Sequence, residues 1–240
     1  MSVPNEQDRL KQAAADWSAE QLRDGMIVGL GSGSTAALAV DAIGKRVQQG
    51  LRIIGIPTSE QTAEQAHQLG IPLATLGDYQ HIDMDIDGAD EVELGTLNLI
   101  KGGGGNQLRE KIVAKASKCF LVIVDQSKLV HRLGEKFKVP VEVAQFGWQA
   151  TGRALERLSG HPSLRRTNAG EPFITDGGNY ILDCAFGPIS SPADLAQELD
   201  SVVGVLEHGL FIGMAGKVAI GAPDGIRVLS RKSSFQSSEA

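Results

Sequence analysis

Short apolar runs alternate with longer amphipathic ones over the first half of this chain. Residues 7–22 carry Leu10, Ala13, Ala14 and Trp17 at helical spacing and predict an amphipathic helix that Asp24-Gly25 ends. Residues 26–30 read as a short apolar strand, 31–33 as a turn, 34–49 as a helix and 52–57 as the next strand. Ser59 is placed to cap a third helix, which Gly70-Ile71-Pro72 terminates, and 72–76 reads as another short strand. Residues 81–87 alternate: Ile82, Met84 and Ile86 face one way, His81, Asp83, Asp85 and Asp87 the other. Residues 106–117 predict a helix with Leu108, Ile112 and Val113 inward, and 119–124 a strongly apolar strand.

Strands alternating with helices imply an α/β fold: a doubly wound, mostly parallel, Rossmann-like sheet. Beyond Gly134 the rhythm changes. Helices are expected at 148–158 and from Ser191-Pro192 to about 201, and strands at 164–167 and 203–207. Phe173-Ile174 and residues 180–184 flank Asp176-Gly177-Gly178-Asn179, which suggests a hairpin. These elements predict a small α+β (ferredoxin-like) domain over 134–207, inserted into a catalytic domain formed by 1–133 and 208–232. The chain returns to that domain through 217–220 and 227–229, and the polar stretch 233–240 is expected to be a disordered tail.

In doubly wound sheets, ligands bind beyond the carboxyl ends of the strands. The Gly31 turn, Asp87 and residues 125–128 all fall on that rim. The candidate chemistry is densest between residues 87 and 111, as Asp87-Gly88-Ala89-Asp90-Glu91, Lys101-Gly102-Gly103-Gly104-Gly105 and Arg109-Glu110-Lys111. Consecutive glycines weaken helix and strand alike. They suit a backbone that passes close to a ligand and aims bare N–H groups, such as that of Gly103, at a phosphate or enolate oxygen. Asp87 and Asp90 flank a turn where two acids can bind sugar hydroxyls and relay protons; the plainer reading is a turn held by aspartates bonding their own backbone. Lys101 is either a surface lysine or a cation that stabilises a developing enediolate oxygen. Glu110 either complements the dipole of its helix or reaches the glycine-loop pocket as a base, kept ionised by the helix N-terminus. Lys128 is either a phosphate or sugar ligand or a solvated loop charge. Glu91, Glu93, Arg109 and Lys111 read as solvent-facing.

Gly29-Leu30-Gly31-Ser32-Gly33-Ser34-Thr35 follows a strand and opens a helix, so Gly33, Ser34 and Thr35 suit a small phosphate. The segment lacks both the dinucleotide fingerprint and the Gly-Lys-Ser/Thr of a nucleotide loop.

Composition narrows the partners. With 240 residues, 42% hydrophobic and 22% charged, the chain has the makings of a soluble protein with a sizeable core. A net charge of −6 argues against non-specific nucleic-acid binding. The longest apolar run falls far short of the roughly 20 residues that span a bilayer, and the polar, charged residues 1–10 are not expected to act as a signal peptide. A cytoplasmic protein with a small-molecule substrate is expected, with neither nucleic acid nor membrane as partner. Cys119 and Cys184 form no Cys-x-x-Cys pattern and are expected to be reduced. The five histidines share no ligand spacing, so no metal is expected.

The Asp-Gly-Ala-Asp-Glu and Lys-Gly-Gly-Gly elements, with the Gly31–Thr35 loop upstream, resemble type A ribose-5-phosphate isomerase over roughly residues 7–230. The resemblance implies interconversion of D-ribose 5-phosphate and D-ribulose 5-phosphate through a cis-enediolate, in the non-oxidative pentose phosphate pathway. It implies no cofactor, and a homodimer or homotetramer. It assigns Asp87, Asp90, Lys101 and Glu110 to catalysis. Gly33, Ser34, Thr35, Gly102, Gly103 and Lys128 are the matching candidates for substrate binding, with Thr58 and Ser59 as a second polar loop. Members often carry Ala/Cys-Leu-Thr where this chain has Asn106-Gln107-Leu108. Two other classes remain open: a sugar-phosphate sensor without turnover, and a related enzyme such as a CoA transferase, which would form a glutamyl thioester.

Overall fold

The computed structural model describes residues 5–231; the expected tail at 233–240 lies outside them. In chain order the elements are α1 (Glu6–Glu20), β1 (Ile27–Leu30), α2 (Ser34–Gln48), β2 (Ile54–Pro57), α3 (Glu60–Gln68), β3 (Met84–Asp87), β4 (Glu91–Glu93) and β5 (Leu99–Ile100). There follow α4 (Gln107–Ala116), β6 (Phe120–Asp125), β7 (Leu129–Val130), β8 (Val139–Val143), α5 (Trp148–Arg157), β9 (Pro162–Leu164) and β10 (Tyr180–Cys184). The chain closes with α6 (Pro192–Asp200), β11 (Val205–His208), β12 (Leu210–Phe211), β13 (Lys217–Ala222) and β14 (Gly225–Ser230).

The large sheet has the order β14-β13-β6-β3-β1-β2 and is parallel except for β14. Its period-2 side chains divide between two cores. Val28, Leu30, Ile86, Leu121 and Ile123 pack against Ala14, Ala15, Val40 and Ile43 of α1 and α2. Phe120, Val122, Val124 and Val218 face Ala114 of α4 and the small sheet β12-β5-β4-β7. Both faces are covered, as parallel sheets require.

The third sheet, β11-β8-β10-β9, is antiparallel. With α5 and α6 it follows the order β-α-β-β-α-β, the split βαβ arrangement. Its central strand β8 is one the sequence reading does not assign. Pro140 lacks an N–H and argues against an interior strand, yet it sits opposite Asp183 with β10 and β11 on either side.

Three sequence expectations are corrected here. Residues 72–76 form no strand: Leu73 makes one bridge to Gly55, and Thr75 then closes a turn on Asp78. The strand expected at 164–167 is Pro162–Leu164, because the chain turns back where the Thr167 N–H donates to Glu171 O. The turn before β10 exists, with the Thr175 N–H donating to Asn179 O at 2.9 Å, but Phe173 pairs with Arg165 rather than with β10.

Glu91 and Glu93 are buried, not solvent-facing. The Glu91 carboxylate accepts the N–H groups of Gly134, Lys136 and Phe137, so it ties β4 to the loop before β8. Glu93 accepts from Thr96 and Asn98. Such contacts satisfy a carboxylate that burial would otherwise penalise.

Candidate active site

β1 and β3 are neighbours in the large sheet, with β2 beyond one and β6 beyond the other. The chain leaves them in opposite directions, which opens a crevice at their carboxyl ends. Asp87 ends β3 there, fully buried. Its Oδ1 accepts the N–H groups of Ser32 (3.0 Å) and Gly88 (2.7 Å), and its Oδ2 lies 2.9 Å from Lys101 Nζ. Lys101 follows β5 and is anchored through its N–H to Gly209 O. Its Nζ donates to Gly88 O (2.7 Å) and stands 3.2 Å from Glu110 Oε2. Asp87, Lys101 and Glu110 are 0%, 3% and 4% exposed, so water screens this carboxylate–lysine–carboxylate bridge little.

The upstream loop serves the same acids. A Cβ on Gly31 would run into Asp87, and one on Gly29 into Asp85 and Val113. These two glycines make room for β3. Gly33, at φ +90°, takes the left-handed region and enters α2 with no side-chain cap, which leaves the first N–H groups of α2 open to an anion. Behind the loop, Thr58 shares a hydrogen bond with Ser32 and donates to Leu30 O. Ser59 caps α3, and Thr62 Oγ1 donates to Gly31 O. Thr58 and Ser59, expected beside the substrate, therefore support the loop from behind and do not line the cavity.

Residues 32–35, 88–90 and 101–104 line the cavity together with Glu110 and Lys128. Every other candidate thus converges on it: Gly33, Ser34 and Thr35 at one end, Asp90, Gly102 and Gly103 along the wall, with Asp87 beneath Lys101. Asp90 Oδ2 accepts the Gly103 N–H at 2.8 Å.

Three features escape sequence reading. Lys11 of α1 donates to Ser34 Oγ at 3.4 Å, and only the packing of α1 beside α2 brings it there. Asp85 is fully buried, with neither carboxyl oxygen hydrogen-bonded. Gln107 is equally buried and unpartnered. On α4, Gln107, Glu110, Val113 and Ala114 face inward, whereas Leu108 is only half-buried and Ile112 is exposed, against expectation. Lys111 is also turned inward: its Nζ pairs with Glu207 and donates to His208 O at 2.7 Å. Arg109 remains at the surface, paired with Glu60 and Asp176.

Asp200, Glu207 and His208 bring possible metal ligands within 4.8 Å of one another. These groups already bond within the protein: Lys111 holds Glu207, His208 Nδ1 accepts the Leu210 N–H, and His208 Nε2 lies 3.2 Å from Asp200 Oδ1. Burial and the Lys111 charge push His208 down to about 3, so its ring is neutral.

Burial dominates the titration of the active-site acids. It pushes Glu110 up to about 8, against the pull of Lys101 and with help from Asp87. This corrects the expectation that the helix N-terminus keeps Glu110 low. Burial raises Asp87 too, against Lys101. For Lys101, burial opposes the charge but Asp87 and Glu110 outweigh it, so the ammonium persists. Asp85 is raised well above the ordinary range by burial and then by Asp87.

A carboxyl raised on folding stabilises the unfolded state once pH passes its ordinary value, because only the unfolded chain then releases the proton. Asp85→Asn removes that penalty. The variant should gain stability over wild type as pH rises from about 4, by up to about 1.4 kcal/mol per pH unit until the folded acid ionises. Denaturant unfolding at pH 4 and pH 7.5 measures it; an equal difference at both would show that Asp85 is not buried as an acid.

A mostly parallel α/β fold with a buried acid–lysine–acid bridge, a glycine loop and an open helix N-terminus on its carboxyl rim is an arrangement suited to general acid–base chemistry on a phosphorylated small molecule. The sequence profile of Ribose 5-phosphate isomerase A (phosphoriboisomerase A) matches residues 54–225. The ribose-5-phosphate isomerase A of Synechococcus sp. (strain JA-3-3Ab) is 56% identical over 223 residues, covering 92% of this chain and 97% of its own. The ribose 5-phosphate isomerase A structure from Methanocaldococcus jannaschii superposes with a TM-score of 0.90 at 42% identity, covering 94% of this chain and 100% of that one. A D-ribose-5-phosphate isomerase in complex with phospho-erythronic acid matches equally well, with a TM-score of 0.90, 38% identity and coverage of 96% and 100%. This chain belongs to the ribose 5-phosphate isomerase A family.

Proposed function

We propose that this protein interconverts D-ribose 5-phosphate and D-ribulose 5-phosphate through a cis-enediolate, with Glu110 carrying the proton between C2 and C1. The observation behind this reading is the buried Asp87–Lys101–Glu110 bridge under a cavity walled by the glycine loop. In its ionised form Glu110 takes the C2 proton of the open-chain aldose. The C–H electrons form the C1=C2 bond, and the carbonyl electrons move onto O1. Lys101 Nζ and the N–H groups of the glycine loop stabilise the enediolate oxygens in a poorly screened site, where such donors are most effective. The O2 hydroxyl proton passes to O1, and Glu110 returns its proton to C1 to complete the ketose. Asp90 lies on the cavity wall to orient hydroxyls and assist ring opening. Asp87 keeps Lys101 charged and in place.

The phosphate fits the other end. Gly33, Ser34 and Thr35 offer the open N-terminus of α2 and two hydroxyls, with Lys128 and Lys11 as the nearby cations. Phospho-erythronic acid, found in a solved relative, joins a phosphate to a polyhydroxylated acid and is a fair mimic of such a ligand. Among the described residues no helix is long and apolar enough to cross a membrane. We place the reaction in the non-oxidative pentose phosphate pathway and in the cytoplasm. A homodimer or homotetramer would cover Phe146 and Val203, which are 98% and 93% exposed on the small α+β unit.

Proton exchange followed by NMR tests the reading. With ribose 5-phosphate in D₂O and EDTA present, the protein should release ribulose 5-phosphate carrying deuterium at C1. Partial carry-over of the C2 proton would point to one shielded base. Binding without exchange or product would overturn the assignment in favour of a sensor.

A further inference from the structure

We propose that Arg165 is the positioning residue that aims the N–H groups of the glycine loop at the reacting sugar. This rests on the isomerase reading. Arg165 belongs to the small α+β unit and follows β9 directly. Its Nη1 donates to both Gly102 O (2.9 Å) and Gly103 O (3.0 Å). The rest of the guanidinium is held by Asp183 of β10, which accepts from Nε at 3.0 Å and from Nη2. The guanidinium carbon lies 5.9 Å from the centroid of the Phe173 ring. The Arg165 backbone is equally fixed: its N–H donates to Ile181 O (2.9 Å) and its carbonyl accepts from the Phe173 N–H (2.9 Å).

Peptide geometry turns this grip into aim. The described chain has no cis peptide, so the C=O and N–H of each unit point in opposite directions. The Gly102 carbonyl shares its peptide with the Gly103 N–H, and the Gly103 carbonyl with the Gly104 N–H. With both carbonyls on Arg165, both N–H groups point away from it, on a stretch of chain that lines the cavity. The Gly103 N–H is found there on Asp90 Oδ2, and the Gly104 N–H has no protein acceptor among the described residues. Glycines carry no side chain to set these orientations. The Gly102–Gly103 peptide is held as well by the Gly105 N–H, which donates to Gly102 O at 2.9 Å, and by Asp90, whereas the Gly103–Gly104 peptide has Arg165 as its one partner among the described residues. A guanidinium, with several donors in one plane, can hold two carbonyls and a carboxylate together; an ammonium cannot reproduce that fork.

Steady-state kinetics on R165M, R165K and D183N test the proposal. Misaimed donors hurt the enediolate more than the ground state. In R165M, kcat should fall about 10²-fold while KM stays within about threefold. Affinity for a phosphorylated aldonohydroxamate, a stable enediolate mimic, should fall by the same factor as kcat/KM. R165K should recover part of the loss. D183N should lose about tenfold, and the R165M/D183N pair should be no worse than R165M alone. An unchanged kcat, or a raised KM with kcat intact, overturns the proposal. If R165M does not fold, D183N and R165K decide by the same criteria. No turnover by wild type sinks the isomerase reading and this one with it; normal wild-type turnover with intact variants sinks this one alone.

Discussion

Glu110→Gln should lower kcat by about 10²–10⁴, the usual contribution of a positioned general base, with little change in KM. The substitution keeps shape and volume and removes only the ability to hold a proton in transit. Burial places Glu110 at about 8. The base form therefore grows as pH rises toward 8, and wild-type kcat/KM should climb with it. The variant should lose that limb of the profile, because an amide does not titrate. The pair of measurements separates chemistry from binding: a lost proton acceptor lowers kcat, whereas a lost sugar contact raises KM. An unchanged kcat would remove Glu110 from the mechanism.

Lys101→Met should damage both folding and catalysis. Lys101 is the cation between Asp87 and Glu110, at 2.9 and 3.2 Å, and all three side chains are buried. Breaking a buried pair from one side costs about 3–5 kcal/mol, since the remaining charge is left without compensation. The loss depends on pH in a definite sense. Without the ammonium, the folded pKa values of Asp87 and Glu110 climb further, while the unfolded ones stay near 4. The variant should be least destabilised below about pH 4, where both states hold their protons, and most destabilised at neutral pH. Denaturant titrations at the two pH values measure this. A neutral-pH loss below about 1 kcal/mol would show that the bridge is not a stabilising contact. In the fraction that folds, kcat should fall about 10²–10³ through loss of an oxyanion donor.

Local chemistry made much of this legible. The apolar strands from residue 26 to 125 are short and separated by amphipathic stretches, so their alternation with helices is written in the chain. Asp87 could be placed at a strand end, and Glu110 one helical turn past the glycines, because both statements depend on neighbours in sequence. Ser59 was readable as a cap for the same reason, and its side chain accepts the Thr62 N–H. The errors fall where a distant partner overrides local preference. Pro140 speaks against the central strand that β8 becomes. Glu91 looks like a surface charge until three N–H groups from residues 134–137 meet it. Leu108 and Ile112 have the chemistry of an inward face, yet Gln107 and Glu110 take it, because that side of α4 looks onto Lys101 and the glycine loop.

The order of elements, the acids, the lysine and the glycines are properties of the sequence alone, since each follows from side-chain periodicity or turn chemistry within a few residues. The tertiary structure decided which of these groups touch and what protonation state they hold. Gly29 and Gly31 read as a phosphate turn; packing shows them making room for Asp85 and Asp87. Arg165 reaches Gly102 across 63 positions of chain. The rise of Glu110 to about 8 comes first from burial, then from the opposed pulls of Lys101 and Asp87. Burial and long-range proximity are created only when distant segments close over one another, and no local pattern encodes them.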